Sequence, residues 1–90
     1  DNMIICTATS TQHAKSIANK LQKAYKENGV KNLIIEGYDV ANWILIDGDM
    51  TITHIFLQST REHYDIEKLW SISEQKLLEI SQAAENNGND

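Results

Sequence analysis

A chain of 90 residues with 41% hydrophobic residues forms one small domain, and this hydrophobic share excludes disorder throughout. Its single cysteine, Cys6, excludes an internal disulfide, and no apolar run reaches the roughly 20 residues that span a bilayer. With no signal peptide in view, these features predict a protein of the reducing cytoplasm that has no membrane partner.

The net charge of −5 is unevenly distributed along the chain. Residues 1–32 contain five lysines and two acidic residues, whereas residues 33–90 contain three basic and eleven acidic residues. An acidic carboxyl-terminal half does not suit direct, sequence-specific contact with nucleic acid, which requires a basic face. It suits a basic protein partner, because opposite potentials speed encounter. A solvated acidic surface explains the charge equally well.

The predicted elements follow one another in the order β-α-β-β-β-α. Isoleucine-rich and β-branched runs predict buried strands at 3–6, 32–39, 43–46 and 51–57. Apolar residues at helical spacing predict a helix over 10–28, with Thr9 as its N-cap and a left-handed Gly29 after its end. This order indicates the α/β (or α+β) class, with a small mixed β-sheet and helices packed on it.

The last third of the chain predicts a second helical region. Ser59 and Glu62 have the spacing of a capping box, and Ile66, Leu69 and Trp70 follow at helical spacing. The final residues lose this periodicity. We therefore expect a single domain over 1–72, followed by a helical extension and frayed tail over 73–90.

The segment WILIDGDMTITHIF places Asp47 and Asp49 on either side of a glycine. Asp-Gly between two β-rich runs is a strong hairpin signal. The alternative is a metal-dependent nucleotidyltransferase, in which both carboxylates would bind Mg²⁺. That enzyme requires a third acid on a neighbouring strand, and residues 51–57 offer only His54, so the hairpin turn is favoured.

The histidines and the cysteine predict no metal site and no cofactor. His13, His54 and His63 are not closely spaced in the sequence, and Cys6 has no second thiol nearby. His54 alternates with Ile52 and Phe56, so these three side chains should share one face of a strand. A half-buried, hydrogen-bonded histidine is therefore favoured at position 54. Trp43, at the start of a strand, is equally compatible with the edge of the core and with an exposed interface anchor.

Three segments, MIICTATSTQHAKSIANKL, EGYDVANWILID and HIFLQSTREHYDIEKLW, together resemble the ribosomal silencing factor family (RsfS, Iojap-like). The matching positions are Thr7, Thr9, Ser10, Ile17, Ala18, Glu36, Gly37, Trp43, Asp47, His54, Phe56, Arg61, Tyr64, Glu67, Leu69 and Trp70. The resemblance runs from Met3 to Trp70, and the order and spacing of the motifs make it specific. The chain departs from the family pattern at Ala8, where a glycine is usual, and at Gly48, which comes one place early. The family's N-terminal helix and first strand are expected to be absent.

The resemblance implies a nucleotidyltransferase-like architecture without the catalytic residues, and thus a binding protein that is not an enzyme. Family members bind the large ribosomal subunit through a basic ribosomal protein, the fourteenth of its series. They block joining of the ribosomal subunits and so repress translation. Together with the acidic half of the chain, this predicts a partner-binding surface made of Trp43, Ile44, Leu45, Asp47 and His54. An open sheet edge would also allow a homodimer.

Overall fold

The computed structural model of the protein describes residues 2–48 and 50–63. The elements of this part of the chain are β1 (Asn2–Ala8), α1 (Thr11–Glu27), β2 (Ile34–Glu36), β3 (Trp43–Gly48), β4 (Thr51–Leu57) and α2 (Gln58–His63). The predicted element order and the mixed α/β class are therefore confirmed. No helix within the described residues has the length and apolar character needed to cross a membrane.

The four strands form one mixed sheet in the order β1-β4-β3-β2. β3 and β4 pair as an antiparallel hairpin, and β2 pairs antiparallel with the outer side of β3. β1 lies parallel to β4 at the other edge, where Ile5 is opposite His54. A parallel pair requires a long connection, and α1, β2 and β3 all lie between β1 and β4 in the chain.

Helix α1 has its N-cap one residue later than the sequence predicts. Ser10 has an extended backbone, and its hydroxyl oxygen accepts a hydrogen bond from the backbone N–H of His13 at 3.0 Å. The prediction of Thr9 as the cap is therefore wrong. Thr9 instead donates its backbone N–H to Nδ1 of His13 at 3.1 Å, so the two residues fix the imidazole and the first turn together.

The other end of α1 has the predicted glycine geometry. Gly29 follows the helix with a φ of 81°, in the left-handed region. The backbone N–H of Val30 donates to the carbonyl oxygen of Tyr25 at 2.9 Å, and that of Gly29 donates to the carbonyl oxygen of Lys26 at 3.1 Å. These two bonds form a Schellman motif, which satisfies carbonyl groups that the helix leaves unpaired.

The main core lies between α1 and one face of the sheet. Its fully buried members are Ala8, Ala14, Ala18, Ala41, Ile44, Ile46 and Ile55. The helix contributes alanines four residues apart, and small side chains at this spacing let it lie close to the sheet. Leu21 and Tyr25 extend the same contact towards the end of the helix.

The D-G-D segment closes the β3–β4 hairpin, as predicted, but its glycine is not a turn residue. Gly48 pairs with Thr51 and is the last residue of β3, so it belongs to the paired strands and not to their connection. A Cβ at position 48 would lie 2.5 Å from Cδ2 of Leu33. Glycine fits best here because Leu33, in the segment before β2, packs directly against the backbone of the sheet and would have to shift for a larger residue.

Strand β2 is shorter than predicted. It covers only Ile34–Glu36, and Asn32 before it and Gly37 after it have φ angles of 62° and 79°. A left-handed residue on each side interrupts the extended backbone, which limits the strand to three residues.

Helix α2 begins at Gln58, directly after β4, so Ser59 lies inside the helix and the predicted capping position is wrong. Arg61 of this helix donates a hydrogen bond to the hydroxyl oxygen of Thr7, which ties α2 to the end of β1. The further helical segment predicted after His63, and the division into 1–72 and 73–90, lie outside the described residues.

Candidate functional site

The candidate site lies on the face of the sheet that points away from α1, here called the second face. Alternation along the strands gives this face Trp43, Leu45 and Asp47 of β3, with Ile52, His54 and Phe56 of β4 directly opposite them. The prediction that Ile52, His54 and Phe56 share one face is confirmed by this register. β1 and β2 complete the second face with Met3, Ile5, Thr7, Ile34 and Glu36.

One half of the second face is a buried aromatic cluster of Trp43, His54 and Phe56. Trp43 and Phe56 are cross-strand partners whose ring centroids lie 4.8 Å apart. The indole Nε1–H of Trp43 donates to Nδ1 of His54 at 3.0 Å. Trp43 retains 1% of its exposure, and His54 and Phe56 retain none. Aromatic pairs of this geometry add stabilisation beyond the burial of their area, so the cluster fixes β3 against β4.

The imidazole of His54 is held in its neutral form. Burial removes water from the ring and lowers its pKa from 6.5 to about 4. The Trp43 indole can only donate, so Nδ1 of His54 is the acceptor and the proton lies on Nε2. Nε2 is buried and has no hydrogen-bond partner among the described residues, and the same holds for the hydroxyl oxygen of the neighbouring Thr53.

The other half of the second face reaches solvent through one row of side chains that crosses all four strands. The row runs Ile34, Asp47, Ile52, Met3 from β2 to β1. Ile34 is 42% exposed, and the other three side chains are partly exposed. Met50, at the hairpin turn, is 57% exposed. The row therefore presents one carboxylate between apolar side chains, which is a suitable contact for a basic side chain with an apolar surround.

The structure separates the five residues that the sequence predicts for the partner-binding surface. Trp43, Leu45, Asp47 and His54 lie on the second face, but Ile44 points to the opposite face and is part of the core beneath α1. Trp43, Leu45 and His54 are buried, so Asp47 is the one predicted site residue with partial exposure. Trp43 is thus buried in this structure, and its role as a partner contact stays a prediction.

Sequence reasoning missed the apolar members of the exposed row, Ile34, Ile52 and Met3. Strand alternation together with the predicted hairpin could have placed Ile52 beside Asp47. Asp47 follows the buried residues of β3 and Ile52 precedes those of β4, on the same face and next to the connection between the strands. Ile34 and Met3 become neighbours only through the strand order β1-β4-β3-β2, which no local pattern reveals.

The enzyme alternative requires Asp47 and Asp49 to bind one metal ion together. Asp47 lies near the end of β3, and Asp49 lies outside the described residues. Within residues 2–48 and 50–63, no three histidine, cysteine, aspartate or glutamate side chains come close enough together to hold a metal ion.

The sequence and the fold are similar to those of known proteins. A family model described as "Ribosomal silencing factor during starvation" matches residues 1–90. The ribosomal silencing factor RsfS of Haemophilus influenzae is 41% identical over 71 residues, covering 79% of this chain and 70% of the relative. A mouse protein named mitochondrial assembly of ribosomal large subunit protein 1 is 35% identical over 75 residues, covering 80% of this chain and 33% of the relative.

A crystal structure of a protein from Chromobacterium violaceum has a similar fold, with a TM-score of 0.69 and 36% identity. The match covers 80% of this chain and 60% of that chain, so this chain spans less than two thirds of its neighbour's length. Fold, motifs and family model agree, and the chain belongs to the ribosomal silencing factor (RsfS) family.

Proposed function

We propose that this protein represses translation by binding the large ribosomal subunit and blocking its joining to the small subunit. The direct partner in this proposal is a basic ribosomal protein, the fourteenth of the large-subunit series. Membership of the silencing factor family supports the role, and the name of the mouse relative refers to the large ribosomal subunit. The protein would act by occupying a surface, without catalysing a reaction.

The exposed row on the second face is the observation that carries this proposal. Asp47 lies directly between Ile34 and Ile52 in the sheet register, so its carboxylate is framed by apolar side chains. When a partner covers this row, water is excluded and a lysine or arginine opposite Asp47 is attracted more strongly. The flanking isoleucines and Met3 supply the apolar contact area around that pair.

The remaining predicted residues have supporting roles in this proposal. Trp43, Leu45 and His54 hold β3 and β4 in register from within the buried half of the second face. Ile44 anchors β3 to the core beneath α1. Changes at these positions would alter binding through the position of Asp47, since the four side chains themselves are buried.

Replacement of Asp47 tests the contact. Asp47→Asn keeps the size of the side chain and removes its charge, and we expect binding to isolated large subunits to weaken about tenfold, or about 1.4 kcal/mol. The measurement is co-sedimentation over a range of protein concentrations. Asp39→Asn is the matched control, because it removes the same charge from an exposed position outside the row. Equal weakening by both variants would show a general charge effect and remove Asp47 from the contact.

Subunit joining tests the function itself. Purified large and small subunits are mixed with and without the protein, and the fraction of joined ribosomes is measured in a density gradient. We expect the protein to lower that fraction in proportion to its occupancy of the large subunit, and Asp47→Asn to do so only at higher concentration. Unchanged joining at full occupancy of the large subunit would refute the proposed mechanism while leaving the binding intact.

A further inference from the structure

Helix α1 carries most of the lysine and arginine side chains of the described residues. The lysines of this helix are Lys15, Lys20, Lys23 and Lys26, and Glu27 is its one acidic residue. At 3.6 residues per turn, the last three lysines lie on the side turned away from the buried Ala14 and Ala18. Their positions span about 9 Å along the helix axis. The sheet therefore has a basic helix on one side and Asp47 on the other.

Two of these lysines have no carboxylate partner among the described residues. Lys23 lies 4.0 Å from Glu27, and Lys15 lies over the ring of Tyr38 at 5.5 Å. Lys20 and Lys26 are exposed and form no ion pair with any residue that the structure describes. Their charges are thus not neutralised within the described part of the fold, and they add to the positive potential of this face of α1.

The surface between these lysines has hydrogen-bond donors as well as charge. A shallow depression on α1 is lined, among the described residues, by Asn19, Gln22, Lys23, Lys26 and Glu27. Amide side chains and lysines are the groups that contact phosphate and sugar oxygens without reading base sequence. Tyr25 of this helix packs against the core, and the imidazole of His13 accepts a hydrogen bond from Thr9 at the first turn. The surface between Lys20 and Lys26 therefore offers no ring on which a base could stack.

We infer that the outward face of α1 binds the phosphodiester backbone of ribosomal RNA beside the protein partner. This inference rests on the proposed function, which brings the chain to a surface rich in RNA. The contact is electrostatic and independent of sequence, because the helix presents charges and amides at regular spacing and no base-reading group. Since α1 and Asp47 lie on opposite sides of the sheet, the protein would sit between a protein surface and an RNA surface.

The combined variant Lys20→Gln with Lys26→Gln tests this inference. Binding of the full chain to a short RNA duplex is measured by fluorescence anisotropy from about 50 to about 200 mM salt. We expect the wild type to bind and the double variant to bind more weakly. The slope of the logarithm of the binding constant against the logarithm of the salt concentration should become less negative by about one for each lost lysine contact. The matched control is Lys20→Arg with Lys26→Arg, which keeps both charges and should retain the wild-type salt dependence.

Three results would overturn the inference. The first is equal salt dependence of the wild type and the glutamine variant. The second is no binding of the wild type to the duplex at the lowest salt. The third is binding to vesicles that contain anionic lipid without binding to RNA, which would assign α1 to a membrane surface.

Binding to the isolated ribosomal protein and to large subunits separates this inference from the proposed function. The glutamine variant should bind the isolated ribosomal protein as tightly as the wild type, whereas Asp47→Asn should not. Binding to the duplex together with no binding to large subunits would refute the proposed function and leave the RNA-binding face of α1 in place.

Discussion

The buried His54 makes the stability of the protein depend on pH. The folded state holds its imidazole neutral, with a pKa of about 4, because the ring is buried beside Trp43 and Phe56. In the unfolded chain the same ring has its ordinary pKa of 6.5 and takes up a proton as the pH falls. The unfolded state therefore binds more protons between these two values, and the free energy of unfolding must decrease as the pH is lowered.

The magnitude follows from the two pKa values. The difference between 6.5 and about 4 corresponds to at most about 3.4 kcal/mol of stability, which is fully present above the ordinary pKa and fully lost below about pH 4. Lowering the pH from about 7 to about 5 should remove about 2 kcal/mol of it. For a domain of this size, that is a substantial share of the total stability.

The assay compares wild type with His54→Gln, which keeps an oxygen that can accept from the Trp43 indole but cannot titrate in this range. Free energies of unfolding are measured by urea denaturation at about pH 7, 6 and 5. Acidic residues contribute equally to both proteins, so the difference in pH dependence isolates His54.

Two results would refute this reasoning. One is the same loss of stability in wild type and His54→Gln as the pH falls. The other applies even if the variant does not fold: titration of the wild-type imidazole by NMR, showing protonation of His54 near its ordinary pKa of 6.5 in the folded protein.

Two further substitutions test the packing and the capping of the fold. Gly48→Ala should destabilise the protein by about 1 kcal/mol in thermal or urea denaturation, because its methyl group meets Leu33. In a protein that already carries Leu33→Ala, adding Gly48→Ala should cause almost no further loss of stability. Ser10→Ala should lower the free energy of unfolding by about 1 kcal/mol, because it removes the acceptor for the His13 backbone N–H. Thr9→Ala should lower it by less than about 0.5 kcal/mol. A larger loss for Thr9→Ala than for Ser10→Ala would show that Thr9 is the N-cap.

Local patterns predicted α1 and the β3–β4 hairpin well because the information for both is contained within short segments. The apolar spacing of α1 and its termination before the left-handed Gly29 depend only on residues in the helix and next to it. The hairpin follows from two β-rich runs joined by a short polar connection. The same patterns misjudged the exact N-cap, since Thr9 and Ser10 are chemically alike and only the backbone conformation selects Ser10.

The candidate site could be predicted only in part. Strand alternation placed His54 with Ile52 and Phe56, and Asp47 was recognised as a possible contact. The exposure of Trp43 could not be read from its position in the strand, because burial depends on everything that packs around the ring. Gly48 had the sequence context of a turn residue, yet its role is to admit Leu33 against the sheet.

By itself, the sequence determined the class of the fold, the alternation of each strand and the concentration of lysines on α1, because these depend on neighbours along the chain. Tertiary structure alone decided which strands meet. The row of Ile34, Asp47, Ile52 and Met3 exists because β1 pairs in parallel with β4 while β2 pairs with β3. Pairing of this kind brings together residues far apart in sequence, and its energy comes from long-range packing that no local pattern contains.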